Sequence, residues 1–149
     1  LVHLGQQRLF LEASGLGSAL PGARFTFTSP DRYAVLLDNL KVHGWDMLME
    51  RHEYVTREEI AVHWYSHVYR PTIRLIEESG LDEMLDNMTT DDIYLWVADR
   101  WRHQFPDRGN QSFEEIIRDA AEEEAGKLTT KAKSAVDRIK KRIDPDDDG

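Results

Sequence analysis

Apolar residues recur at intervals of three and four along most of this sequence, and helix-start signals stand in front of several of the runs. Side chains three and four apart share one face of a helix, whereas a strand puts alternate residues on a face, so the pattern commits the chain to helices. Ser29-Pro30-Asp31 supplies a side-chain cap, a proline at the first helical position and an acid in the first turn. The helix it opens is predicted to run to about His52. Tyr33, Leu36, Leu37, Leu40, Gly44, Met47 and Leu48 form one stripe of it, and Val35, Val42 and Met49 form a second, roughly opposite. Such a helix is either central to a bundle or carries a surface for another domain.

Thr56 and Glu59 have capping-box spacing and open a helix predicted to reach Ser79, kinked at Pro71 and ended by Gly80. Its buried face should be Ala61, Trp64, Tyr65, Val68, Thr72, Leu75 and Ile76; Glu59, His63, His67, Arg70 and Arg74 should face outward. Thr89 or Thr90, with Asp91 and Asp92, caps a helix to about Phe105 that buries Ile93, Tyr94, Val97, Trp101 and Phe105. Short helices are expected from Gln6 to Ser14, with Leu9, Phe10 and Ala13 on one side, and between Leu81 and Met88. Only Arg24 to Thr28 alternates at period two, like a strand. A lone strand needs a partner for its backbone, either Leu1 to Leu4 or something outside the chain.

Pro106 to Asn110 reads as a linker, after which Ser112 and Glu115 open a long helix to Ile143. Glu114, Glu115, Asp119, Glu122, Glu123 and Glu124 make its start acidic, and its second half, from Lys127 to Arg142, is mostly basic. Leu128, Ala132, Val136, Ile139 and Ile143 draw a thin apolar seam along it, suited to a partner helix. The expected organisation is all-α: a bundle of four to five helices with one short extended segment over 1–105, a linker over 106–111, a long charged helix over 112–143 and a disordered acidic tail over 144–149.

Composition narrows function by exclusion. The 149 residues include no cysteine, which removes disulfides, thiolate nucleophiles and cysteine-ligated metals. The net charge of −9 opposes bulk contact with nucleic acid, leaving an indirect role or a local one through Lys127 to Arg142. No apolar stretch is long enough to span a membrane and no signal segment opens the chain, so the expectation is cytoplasmic. Leu1 in place of an initiating methionine hints at a piece of a longer polypeptide.

Few constellations suggest chemistry. Glu59, His63 and His67 share a helix face with ligand-like spacing, yet Arg70 and Arg74 continue that face and would oppose a divalent cation. Three readings stand: a metal site, an anion or phosphate face made from His63, His67, Arg70 and Arg74, or a plain solvated surface. The acid pairs Glu58-Glu59, Glu77-Glu78 and Asp91-Asp92 sit at helix ends or on outer faces, where capping or solvation accounts for them. Trp96 lies off the main stripe and is the ring best placed for a surface role. There is no glycine-rich phosphate loop, nucleophile elbow or His-Glu-x-x-His motif, and neither a catalytic residue nor a cofactor is expected.

A set of short motifs occurs in one order: Phe10-Leu11-Glu12, Ser14-Gly15-Leu16, Leu20-Pro21-Gly22-Ala23-Arg24, Arg32-Tyr33, Leu36-Leu37, Val42-His43, Trp64-Tyr65, Val68-Tyr69-Arg70-Pro71 and Asp92-Ile93-Tyr94-Leu95-Trp96-Val97. This series, from about Gln7 to Arg102, resembles the helical region that follows a ParB-like N-terminal domain in certain bacterial proteins. Gly44-Trp45 departs from the pattern. The resemblance implies a ParB-like domain as partner and a place in a DNA-associated regulator, with His43, Trp64, Tyr65, Asp92, Tyr94 and Trp96 as family positions. The glycine-x-histidine-arginine type motif of the ParB-like domain itself has no counterpart, so its nuclease or nucleotide chemistry transfers to no residue here. The resulting expectation is a non-catalytic accessory or interaction domain; the alternative is a metal- or anion-binding protein or hydrolase using the His63/His67 face. The Val35, Val42 and Met49 stripe and the Phe25 to Phe27 strand are the expected contact surfaces.

Overall fold

The computed structural model describes residues 2–104 and 111–143, and these are all-α. The elements are α1 (Val2–Ser14), α2 (Leu16–Ala19), α3 (Arg32–Arg51), α4 (Arg57–Trp64), a π-helical turn (Tyr65–Tyr69), α5 (Arg70–Ser79), α6 (Leu81–Met84), α7 (Thr90–His103) and α8 (Phe113–Ile143). None of the described helices is long and apolar enough to cross a membrane. The linker residues 106–110, Phe105 and the acidic tail over 144–149 lie outside the described residues.

Local chemistry sets the boundaries. Thr89 Oγ1 accepts from the Asp92 amide and the Asp92 carboxylate accepts from the Thr89 amide, each at 3.0 Å, a reciprocal box that starts α7. Thr56 Oγ1 and Ser112 Oγ accept from the amides of Glu59 and Glu115 at 3.1 and 3.2 Å, the forward half of the expected boxes. Gly80 takes a left-handed φ of 76° and ends α5, as a residue without Cβ does at no steric cost. The expected start at Ser29 moves: the Ser29 hydroxyl turns to the Asp31 carboxylate, and helix α3 begins only at Arg32.

Pro71 perturbs its helix differently from a simple kink. It has no N–H for the His67 carbonyl, and its ring crowds that carbonyl, so the turn before it is wound wide as a π-helix. At 100° per residue Tyr69 would fall about 140° from Trp64, off the buried face. The wide turn brings it inward, and Tyr69 stacks on Trp64 with ring centroids 5.1 Å apart.

The core runs from Phe10 and Leu16 through Leu36, Leu40, Ala61, Trp64 and Ile76 to Ile93, Val97, Ile116 and Ile117. Helix α3 packs on α1 and α4, while α5, α6 and α7 each pack on the first turns of α8. Ile116 and Ile117, each 2% exposed, thus make the start of the long helix part of the same core as the bundle. Gly44 is buried where α3 crosses α4, and a Cβ there would lie 2.6 Å from Ile60 Cδ1, so a larger residue would require the Ile60 side chain to shift.

Several expected core positions lie elsewhere. Leu9 and Ala13 face solvent, and α1 buries Phe10 and Ser14 instead. Leu48 and Trp101 are substantially exposed; Trp101 meets Phe113 edge-on at 5.6 Å on the surface between α7 and α8.

The expected strand over 24–28 is a correction. The segment pairs with no strand among the described residues, and Val2 to Leu4 of the proposed partner lie in α1. Side chains satisfy its backbone: Gln7 Oε1 accepts from the Phe25 amide at 2.7 Å, Asp91 from Thr26 at 2.8 Å, and Asp92 from Thr28 at 3.2 Å. Phe25 and Phe27 are buried in the core, so they form no contact surface.

Candidate functional site

Three imidazoles from neighbouring elements stack together. His43 comes from α3, His63 from the end of α4 and His67 from the π-helical turn. His43 Nε2 and His63 Nδ1 lie 2.8 Å apart, close enough that one proton is held between them. His63 and His67 rings lie nearly parallel, 10° apart in plane with centroids at 4.1 Å. His67 Nδ1–H donates to the His63 carbonyl at 3.1 Å, which fixes its tautomer and leaves Nε2 an acceptor in the neutral ring.

Burial and neighbouring cations make a positive charge on His43 or His63 costly, against the pull of two carboxylates. Burial pushes His43 below the ordinary histidine range, His63 adds to the effect, and Asp46 opposes it. Burial likewise lowers His63, reinforced by His67 and Arg51 and countered by Glu50. His43 and His63 are therefore neutral around pH 7.

Parallel rings cannot aim their lone pairs at one point, and a His43–His63 hydrogen bond occupies two of the nitrogens a cation would need. Among the described residues no group of three or more His, Asp or Glu side chains is placed to hold a metal ion. Glu59 shares with His63 and His67 only an open hollow bordered by Met47 and Arg51. Arg70 and Arg74 are exposed on α5. Glu59, His63 and His67 thus border one hollow, whose lining does not include Arg70 or Arg74; the structure adds His43, twenty positions away from His63 in sequence, which helical periodicity could not pair with it.

On the other side of His43 and His67 runs a groove of about 470 Å³, floored by Trp64, Val68, Leu75 and Tyr94 and edged by Asp46, Arg102 and Phe113. Arg102 donates to Asn39 Oδ1 at 2.6 Å, bridging α7 to α3 across it. The groove holds a carboxylate on α3 and histidines on two elements.

Of the positions that the resemblance singles out, Trp64, Tyr94 and Asp92 hold the fold together. Trp64 Nε1–H donates to Tyr94 Oη at 3.0 Å inside the core, and burial pushes the Tyr94 phenol up to about 12, so it keeps its proton. Asp92 caps α7 and holds Thr28. Its neighbour Asp91 is buried, accepting from Tyr69 Oη and from the Thr26 amide. Burial raises the Asp91 carboxyl above the usual range against the pull of both donors, with the Asp92 charge adding to the rise. Both acids are thus clamps on the extended segment. Tyr65 is half-buried beside Trp64, while Trp96 is 38% exposed with the Arg100 guanidinium over its ring at 5.5 Å.

Two exposed features complete the surface. Trp45, 62% exposed, joins Val35, Val42 and Met49 on the outer face of α3. Every residue from Ala125 to Ile143 is exposed as α8 leaves the bundle, the apolar seam included. No family model matches this chain, and no curated protein or solved structure is significantly similar to it.

Proposed function

We propose that this chain is a non-catalytic interaction domain of a ParB-like, DNA-associated regulatory protein, docking on the ParB-like domain through the outer face of α3. The observation that carries the reading is that face: Val35, Val42, Trp45 and Met49 line up on one side of a helix whose opposite side is sealed in the core. These side chains are 40–62% exposed, so covering them would add only a part of the roughly 1.5–3 kcal/mol that full burial of such a side chain contributes. A domain surface that covers them recovers part of that. The ordered short motifs over Gln7 to Arg102 support ParB-like context, and the positions they share here stabilise a scaffold. Contact with DNA in this reading is indirect, made by the ParB-like partner.

The test is calorimetric titration of this chain with a ParB-like domain expressed from the same reading frame. Binding should be lost in the Val42→Asp/Met49→Asp variant while its circular dichroism and melting midpoint stay as in the parent. Absence of heat with the parent, or equal binding by the variant, refutes the reading.

A further inference from the structure

We infer that the free half of α8 is a docking helix for an acidic amphipathic helix of another protein, a role separate from the α3 face. From Ala125 the helix extends alone for about 27 Å at 1.5 Å per residue. Its seam of Leu128, Ala132, Val136, Ile139 and Ile143 is unbroken with the face that α8 already uses in the bundle. At 100° per residue Ile117, Ala121 and Ala125 fall on the same stripe, and there they border α5 and α6 beside Leu75 and Met84. One face of one helix is therefore packed on helices for its first half and open for its second, and what continues an interface between helices is another helix.

Charge selects the occupant. Between Lys127 and Arg142 seven basic residues stand against the single acid Asp137. On the helical wheel Lys133 and Lys140 flank one edge of the stripe, Lys131, Arg138 and Arg142 flank the other, and Asp137 lies on the far side. A second copy paired along the seam would set lysines against lysines in either direction, which repels. A helix carrying Glu or Asp at its flanking positions meets opposite charge on both edges. The stripe's small residues, Ala132 and Ala135, let a partner backbone approach closely and give a bilayer little to hold, and the stripe has no aromatic anchor. Nucleic acid would use the lysines but leave the stripe in water.

The full chain tests this by fluorescence anisotropy with a labelled three-heptad synthetic helix bearing leucines at 3-4 spacing flanked by glutamates, and with a matched helix flanked by lysines. The glutamate helix should bind at least about tenfold tighter, about 1.4 kcal/mol, and weaken as salt is raised. Val136→Asp/Ile139→Asp should abolish binding with the melting midpoint unchanged, since both residues lie outside the bundle. Val42→Asp/Met49→Asp should leave it intact, which separates this surface from the α3 face. Equal or absent binding of the two helices overturns the inference. So does tighter binding to phosphatidylglycerol vesicles or a DNA duplex, or sedimentation showing a dimer that Val136→Asp/Ile139→Asp dissolves.

Discussion

Tyr69 Oη donates to Asp91 Oδ1 at 2.5 Å, and through this bond the π-helical turn, the start of α7 and the extended segment are joined. Asp91 has two donors to satisfy, Tyr69 Oη and the Thr26 amide, and the site is buried. Asp91→Ala therefore leaves both without an acceptor and should lower stability by about 2–4 kcal/mol. Tyr69→Phe strands one carboxylate lone pair and removes a single bond, so its cost should be smaller, about 1–3 kcal/mol. Urea denaturation of the variants gives both numbers; an Asp91→Ala cost no greater than that of an exposed acid such as Asp38→Ala would show that the clamp is not needed.

Acid should loosen the fold through the histidine stack. His43 and His63 have folded-state pKa values lowered from 6.5, so their contribution to stability is present above about 6.5 and is lost as the pH falls through the lowered values. The unfolded state binds protons first in that window. Asp91 has the opposite sign, because its carboxyl is raised: its contribution is present below the ordinary aspartate value and is lost as the pH rises through the higher folded value. Melting midpoints measured downward from pH 7.5 should decline from about pH 6.5. His43→Gln/His63→Gln should flatten that decline, and an unchanged slope in the variant would remove the stack as its source.

Gly44 and Ile60 should couple. Alanine at 44 gains about 1 kcal/mol of helix propensity, but its Cβ would meet Ile60 Cδ1 at 2.6 Å and Cγ2 at 3.2 Å, so the whole side chain must move. Overpacking of this kind costs about 1–3 kcal/mol. Gly44→Ala alone is expected to destabilise. Ile60→Val removes Cδ1, the nearest atom, and the double variant should recover about 1 kcal/mol relative to additivity. A double-mutant cycle in denaturant reads this directly.

Much of the fold was legible because its signals are local. Thr89, Thr56, Ser112 and Gly80 announce helix ends through groups one turn away, and Trp64, Ile76, Ile93 and Val97 lie on the stripe that periodicity assigns. The largest misreading, the strand, comes from contact between residues far apart in sequence. Phe25 and Phe27 alternate like a strand because the segment is extended; that Gln7, Asp91 and Asp92 replace a partner strand depends on the tertiary fold. Tyr69 was missed because Pro71 changes the helical pitch. The site was less legible than the fold: His63 and His67 were visible as a pair, but their relation to His43 depends on how α3 crosses α4, and that crossing is set by a glycine. Trp45 lies outside the expected stripe of Val35, Val42 and Met49, although its angle on α3 places it with Val42 and Met49.

The hydrogen bond from Trp64 to Tyr94 offers a test of whether these two aromatic positions serve packing alone. Trp64 is 1% exposed and Tyr94 2%, so neither polar atom reaches bulk water. Tyr94→Phe keeps the ring and strands the indole N–H, with an expected cost of about 1–3 kcal/mol. Trp64→Phe strands the phenol and also leaves a cavity where the indole was, so it should cost more, about 3 kcal/mol or above. Once the tryptophan is gone, the tyrosine hydroxyl has lost this partner, and removing it in the double variant should add little or restore some stability. Equilibrium unfolding of the four proteins measures the cycle. Full additivity would mean that the two side chains act independently, and the shared buried bond would then have no part in orienting α4 against α7.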